Sequence, residues 1–287
     1  MLLIKQHIDL AKISTFGIGG QAKYFVEVNS IEEMAQAICE SQKMKTPYLV
    51  VGKGSNSLFD SKGFNGLIIH NKINFLNRLT ENTLHVGSGY SFSYLGTLSA
   101  KLKLSGLEFA SGIPGSVGGA CFMNAGANGM ETCNHLDSVE FLSENGVITN
   151  YLRKDLTFSY RTSPFQQKKG VILSATFTLK PFEAAREKQF EIINYRKKTQ
   201  PLKSKSAGCI FQNPLNFSAG ALIEHCGLKG LKVGDAEVSN LHANFIVNNG
   251  AATSGDVLEL IQLIKAKVKE IANQELHSEV RFIPYNP

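Results

Sequence analysis

Two glycine-rich segments hold the residues of this sequence whose types and spacing could do chemistry. Val50-Val-Gly-Lys-Gly-Ser-Asn-Ser57 leads from a short apolar run into a turn of Gly, Ser and Asn. Consecutive backbone N–H groups in such a turn form a nest for phosphate oxygens, and side chains this small let phosphates approach. The segment lacks the Gly-Lys-[Ser/Thr] ending of a nucleoside-triphosphate loop, and no GxGxxG opens a helix here. Taken alone it reads equally well as a tight turn between strands. Ala110-Ser-Gly-Ile-Pro-Gly-Ser-Val-Gly-Gly-Ala-Cys-Phe-Met-Asn-Ala-Gly126 is more unusual. Pro114-Gly115 forces a turn, and the small residues from Ser116 to Ala125 let backbone lie flat against a large planar ligand. Crowded helix packing is the structural alternative, and a planar cofactor is the stronger reading of so much glycine.

The elements that must position these segments alternate between strand and helix. Lys23–Val28 and Tyr48–Val51 read as strands around a helix, Ile31–Glu40, with Ser30 as N-cap and Glu33 completing a capping box. Leu67–Ile69, Leu84–Gly87, Ser138–Leu142, Val147–Tyr151 and Val171–Leu179 read as strands, with a helix over Tyr94–Leu104 among them. A charged helix over Glu183–Lys198 runs up to Pro201, which marks a boundary. Beyond it come a short helix at Ala219–Cys226, a strand at Phe245–Val247, an amphipathic helix over Ser254–Ala272 and a terminal strand at His277–Ile283. Val257, Leu260, Ile261, Ile264 and Val268 share one face of that helix. The fold class is α+β. The expected domains are residues 1–185, with subdomains of about 1–65 and 66–185, and a smaller domain over 186–287.

Composition narrows the classes of function. The chain has 287 residues, 43% hydrophobic and 19% charged, which suits a globular protein and excludes disordered, collagenous and coiled-coil readings. No apolar run is long enough to span a bilayer, and the start lacks a signal peptide's apolar stretch, so a cytoplasmic protein is expected. The net charge is +6, with Lys and Arg scattered. This is not the array that tracks a nucleic-acid backbone, and an anionic small substrate fits the surplus as well as anything else. The five cysteines are odd in number and form no CxxC pair, so neither a disulfide framework nor a metal site is expected.

Gly52-Lys-Gly-Ser-Asn-Ser57, Ser111-Gly-Ile-Pro-Gly-Ser-Val-Gly-Gly-Ala120 and Asn124-Ala-Gly126 together resemble the FAD-binding domain of the UDP-N-acetylenolpyruvoylglucosamine reductase family. Thr15-Phe-Gly-Ile-Gly-Gly20, Tyr160-Arg-Thr-Ser163, Ser206-Ala-Gly-Cys-Ile-Phe-Gln-Asn-Pro214 and Leu276-His-Ser-Glu-Val-Arg-Phe282 follow in family order. The resemblance implies a vanillyl-alcohol-oxidase (PCMH) type of fold, with two α+β subdomains holding FAD and a C-terminal α+β domain for substrate. It further implies that NADPH reduces FAD and that hydride then passes to UDP-N-acetylglucosamine enolpyruvate, giving UDP-N-acetylmuramate for peptidoglycan. The cofactor residues carried over are Gly52, Lys53, Gly54, Ser55, Asn56, Ser57, Ser111, Gly112, Ile113, Pro114, Gly115, Ser116, Gly118, Gly119, Ala120, Asn124 and Ala125.

Hydride arriving at C3 of the enolpyruvyl group leaves charge at C2, delocalised into the carboxylate, so the site needs fixed positive charge and then a proton at C2. By resemblance Arg161 stabilises that enolate, Glu279 polarises the substrate or organises protonation, and Cys209 donates the proton. Cys209 stands where the commoner family pattern has serine. A thiol with an ordinary pKa near about 8.5 is mostly protonated at neutral pH, so the exchange preserves the role. Cys121 and Cys226, in apolar contexts, are expected in the core. Tyr160, Arg161, Lys203 (with Lys205 as its alternative), Gln212, Asn213, His242 and Asn244 are the expected substrate contacts. The stretch from Phe217 to Asp235 has no room for the inserted tyrosine loop of one subgroup, which resembles the compact subgroup. A monomer acting without nucleic acid or membrane is expected. Another flavin oxidoreductase on this fold, or a non-enzymatic binding module, explains the glycine segments but not Arg161, Cys209 and Glu279 together.

Overall fold

Hydroxyl caps start most of the helices, because a side-chain oxygen there satisfies an N–H that the first turn leaves without a partner. The computed structural model describes residues 2–287, and its helices are α1 (Ile31–Lys43), α2 (Phe92–Lys101), α3 (Val117–Met123), α4 (Ala185–Thr199), α5 (Ala219–His225) and α6 (Ser254–Ala272). Ser30 accepts from Glu33, Ser91 from Tyr94, Ser116 from Gly119, Ser218 from Ala221 and Thr253 from Asp256. Glu33 does not close the expected capping box. Its carboxylate takes the Asn29 backbone N–H at 2.6 Å and the Asn29 side-chain amide at 3.4 Å, two donors on one residue in place of the Ser30 amide.

The chain forms two compact units, neither continuous in sequence. One comprises the residues up to Ile4, Val26–Gly52 and Ile68–Arg196; the other comprises Lys5–Phe25, Lys53–Leu67 and Lys197–Pro287. The expected division into 1–65, 66–185 and 186–287 follows the chain, whereas these units interleave it.

The first unit is built on a five-stranded antiparallel sheet in the order Ile148–Leu152, Leu136–Ser143, Gly170–Thr178, Thr83–Gly87, Leu76–Arg78. Alternation along these strands buries Leu84, Val86, Val139, Phe141, Ala175 and Phe177 with Phe92 and Leu95 of α2 and Val117 and Cys121 of α3. Cys121 is fully buried as expected, and burial pushes its thiol up to about 12. The second unit has a three-stranded meander, Lys232–Val233, Ala236–Val238 and Ile246–Asn248. The five apolar residues on one face of α6 are all buried there, together with Phe16, Ile18 and Leu58 from early in the chain. Cys226 is only partly buried, packed at the edge of this core, and burial raises its pKa.

The terminal strand is shorter than the alternation predicts. Only Arg281–Ile283 forms a ladder, parallel to Ser57–Phe59. Upstream the Glu279 and Val280 amides both point to one acceptor, the Ile210 carbonyl, at 2.7 and 3.4 Å, which breaks the pairing register. Among the described residues no helix is long and apolar enough to cross a membrane.

Candidate active site

In the first unit, Glu108–Gly112 forms a 3-10 turn that hands over to α3 through Ile113-Pro-Gly-Ser116. Most of the glycines here answer to the protein's own packing. A Cβ on Gly52 would collide with Ser116 Oγ, one on Gly112 would lie 2.6 Å from the Arg196 side chain, and one on Gly118 would lie 2.8 Å from Ser88 Cβ. Gly119 differs: it is exposed, and the nearest atom to its Cβ position is Ser116 Oγ at 3.4 Å. The flat small-residue surface read from the sequence is therefore narrower than the whole Ser116–Ala125 run. Ser111 Oγ is buried with no hydrogen-bond partner. A buried hydroxyl in that state carries a desolvation cost that a bound polar group removes.

Tyr160 and Arg161 form the tip of a two-residue turn closed by Ser159 N–H to Thr162 O at 3.1 Å and Thr162 N–H to Ser159 O at 2.9 Å. Arg161 has φ 56, a left-handed conformation that costs a non-glycine residue energy and persists only where the surroundings enforce it. Its Nη2 donates to Gly126 O at 3.0 Å, and its guanidinium lies 4.8 Å from the Tyr160 ring centroid. Gln166 Nε2 donates to the Arg161 carbonyl at 3.0 Å and to Phe122 O at 2.9 Å. Gly126 begins a hairpin, Gly126–Ala127 with Met130–Glu131, turned by Asn128 and Gly129 in left-handed conformations. Asn-Gly between short strands was a legible signal for that hairpin; its grip on Arg161 was not.

Asn124, expected at the cofactor, is fully buried, and its side chain is engaged by protein. Nδ2 donates to Glu131 Oε2 and to the Ser159 carbonyl, and Oδ1 accepts from Cys133 N–H.

In the second unit, the loop from Lys53 to Asn56 carries Gly54 at φ 57, where a Cβ would lie 2.5 Å from the Ile13 carbonyl. Among the described residues none accepts from the Gly54 or Ser55 amide, so the phosphate nest read from the sequence keeps its donors. Asn56 faces another way. Its Nδ2 donates to the Glu279 carbonyl at 3.3 Å, and its own carbonyl accepts from Arg281 N–H at 3.0 Å. The loop thus braces the backbone of Glu279, a half-buried residue.

Cys209, half-buried, lies in an extended segment that pairs with Phe245 on one side, while Phe211 pairs with Ser278 on the other. Asn244 clamps this segment: Oδ1 accepts from Phe211 N–H at 2.9 Å, Nδ2 donates to Phe211 O at 2.8 Å, and its carbonyl accepts from Ile210 N–H at 2.8 Å. With 3% exposure, Asn244 acts on the backbone beside Cys209 rather than on a ligand, which corrects the expected substrate contact. Asn213 Oδ1 accepts from Ala219 N–H at the start of α5, and His242 Nδ1 accepts from Asn244 N–H at 3.2 Å. Gln212 is half-buried and Lys203 exposed. Asn248, which the sequence reading passed over, ties the Thr15–Gly20 block down through Nδ2 to the Phe16 and Gly17 carbonyls at 3.1 and 3.3 Å.

A flavin dinucleotide needs donors for its pyrophosphate and open backbone beside its ring system. The partnerless Ser111 hydroxyl, the open face at Gly119 and the unconsumed Gly54 and Ser55 amides fit those needs. Comparison with known proteins agrees. A family model for an FAD binding domain matches residues 22–151, and one for the C-terminal domain of UDP-N-acetylenolpyruvoylglucosamine reductase matches residues 200–283. The chain is 57% identical over 277 residues to the UDP-N-acetylenolpyruvoylglucosamine reductase of Protochlamydia amoebophila (strain UWE25), covering 96% of this chain and 93% of that one. It is 48% identical over 282 residues to the enzyme of the same name from Chlamydia felis (strain Fe/C-56), covering 98% and 95%. The crystal structure of UDP-N-acetylenolpyruvylglucosamine reductase (MurB) from Thermus caldophilus superposes with a TM-score of 0.84 at 36% identity, over 99% of this chain and 100% of that one. With likeness of this degree running nearly end to end, the chain belongs to the UDP-N-acetylenolpyruvoylglucosamine reductase family.

Proposed function

We propose that this chain carries out its family's reaction, the NADPH-dependent reduction of UDP-N-acetylglucosamine enolpyruvate to UDP-N-acetylmuramate for peptidoglycan, with Arg161, Cys209 and Glu279 as catalytic residues. FAD, when bound, would supply the hydride-transfer chemistry that links NADPH to the enolpyruvyl double bond. In the first unit Ser111 and the backbone around Gly119 would hold the cofactor; in the second unit the Gly54 and Ser55 amides keep donors that suit a pyrophosphate. The observation that carries the catalytic reading is the strained turn at Arg161. A left-handed arginine clamped by Gly126, Gln166 and the Ser159–Thr162 pairs is a pre-organised cation, the kind of group a developing enolate requires. Its planar guanidinium matches a carboxylate's two oxygens.

Cys209 transfers its thiol proton to C2 as the enolate collapses, and solvent later returns the proton to the thiolate. Asn244 holds the Ile210–Phe211 backbone beside it, which restricts where the sulfur can lie. Glu279, anchored through its backbone to Ile210 and Asn56, orders the proton donor or polarises the substrate. Lys203 and Gln212 supply charge and polarity toward the diphosphate and sugar. Because NADPH and sugar nucleotides are cytoplasmic metabolites, we place the reaction in the cytoplasm.

The test is direct. The FAD-loaded protein should oxidise NADPH when the enolpyruvyl UDP-sugar is added and form UDP-N-acetylmuramate stoichiometrically. Flavin that NADPH reduces but the enolpyruvyl sugar does not reoxidise would overturn the assignment.

A further inference from the structure

Asn124 sits in the glycine-rich segment, where the sequence pattern assigns it to the cofactor, yet no polar atom of its carboxamide lacks a protein partner. Its two N–H donors go to Ser159 O at 3.0 Å and Glu131 Oε2 at 2.9 Å, and its oxygen accepts from Cys133 N–H at 3.1 Å, at 0% exposure. Asn124 is also the C-cap of α3, in the left-handed conformation with φ 43. Ser159 closes the turn that carries Tyr160 and Arg161, and Glu131 ends the hairpin whose Gly126 carbonyl accepts from Arg161 Nη2 at 3.0 Å. One buried carboxamide therefore touches the end of the glycine-rich helix, the arginine turn and the hairpin that grips the arginine.

We propose that Asn124 is a positioning residue for Arg161, fixing the turn and hairpin that aim the guanidinium, and is not a flavin ligand. This deepens the reading of Arg161 as the enolate-stabilising group and rests on it. A buried amide with three satisfied partners has one low-energy placement, so it removes the freedom of the turn to relax out of its left-handed backbone. Displacing a charge-stabilising group by about 1 Å costs on the order of a hundredfold in rate.

The experiment uses the FAD-loaded enzyme and follows its two half-reactions separately by flavin absorbance. Asn124→Gly keeps the left-handed backbone accessible while removing all three hydrogen bonds. It should retain flavin and be reduced by NADPH within about twofold of the parent rate, while reoxidation by the enolpyruvyl sugar slows by about ten- to a hundredfold. In an Arg161→Lys background the same substitution should add less than about threefold, because the group being aimed is already gone. Asn124→Asp, which keeps the Cys133 contact and places a carboxylate oxygen against Glu131 and the Ser159 carbonyl, should show the same pattern; it decides the matter if the glycine variant does not fold. Loss of flavin, equal slowing of both half-reactions, an unchanged reoxidation rate, or full slowing in the Arg161→Lys background would each overturn the proposal. Arg161→Lys with parental reoxidation would instead sink the reading of Arg161. Slow Arg161→Lys beside a normal Asn124→Gly sinks only the role of Asn124.

Discussion

Three asparagines that resemblance or spacing directs toward ligands, Asn56, Asn124 and Asn244, direct their amides to the backbones around Glu279, Arg161 and Cys209. An amide carries two donors and one acceptor site in a plane, which matches the N–H and C=O of an extended strand or a turn. The same chemistry suits a sugar or a diphosphate, so residue type alone does not separate positioning from binding; burial does so for Asn124 and Asn244. Cys209 poses the complementary question, of whether a thiol does the work of a hydroxyl. As proton donor it should be dispensable to flavin reduction: Cys209→Ala leaves reduction by NADPH intact and slows reoxidation by the enolpyruvyl sugar on the order of a hundredfold or more, as loss of a general acid does. Cys209→Ser retains much of the rate. Rapid-mixing absorbance of the two half-reactions checks both, and an alanine variant that reoxidises normally removes Cys209 from the mechanism.

At the scale of elements, the loop that begins at Gly52 has a support beneath it. His70 on Phe64–Asn71 bonds Glu27 on Gln21–Val28 at 3.1 Å through Nδ1, and its ring also hydrogen-bonds the Gly52 backbone. Burial and the charge of Lys72 push His70 below its ordinary value of 6.5, with Glu27 and Gly52 pulling the other way. The folded state therefore binds this proton less readily than the unfolded chain does. As pH falls through about 6.5 the unfolded state takes up the proton first, so stability is lost there and the loss levels off once the folded ring is protonated too. Thermal midpoints followed from about pH 7.5 down to about pH 5 should fall less steeply for His70→Gln than for the parent. Identical slopes would show that His70 does not contribute. The elements themselves were well read where periodicity was strong: the predicted Ser254–Ala272 helix is α6, residue for residue. The alternation over His277–Ile283 predicts a longer strand than forms, because alternation carries no information about two amides competing for Ile210 O.

For the whole molecule, the interleaved units decide what can fold alone. A contiguous C-terminal piece over residues 197–287 contains α5, α6 and the meander but lacks Phe16, Ile18 and Leu58, all of them buried within that unit's core. Each such side chain contributes about 1.5–3 kcal/mol by burial. Three of them together rival the roughly 5–15 kcal/mol by which a domain is stable at all. The isolated segment should therefore show no cooperative thermal transition and should bind a hydrophobic dye, while the full chain melts sharply. Calorimetry of the two proteins checks this, and a sharp transition from residues 197–287 alone would mean that the early segments are dispensable.

What the sequence determined by itself is what depends on neighbours in the chain: helix caps at Ser30, Ser116 and Thr253, the apolar stripe of α6, the Asn128-Gly129 turn, and a family resemblance carried by short contiguous blocks. Tertiary structure alone decided which residues meet across long separations. Asn56 and Glu279 lie 223 positions apart and Asn124 and Ser159 lie 35 apart. Local propensity acts over one or two turns of chain, whereas these bonds exist because burying an amide without partners costs more than bringing distant backbones to it.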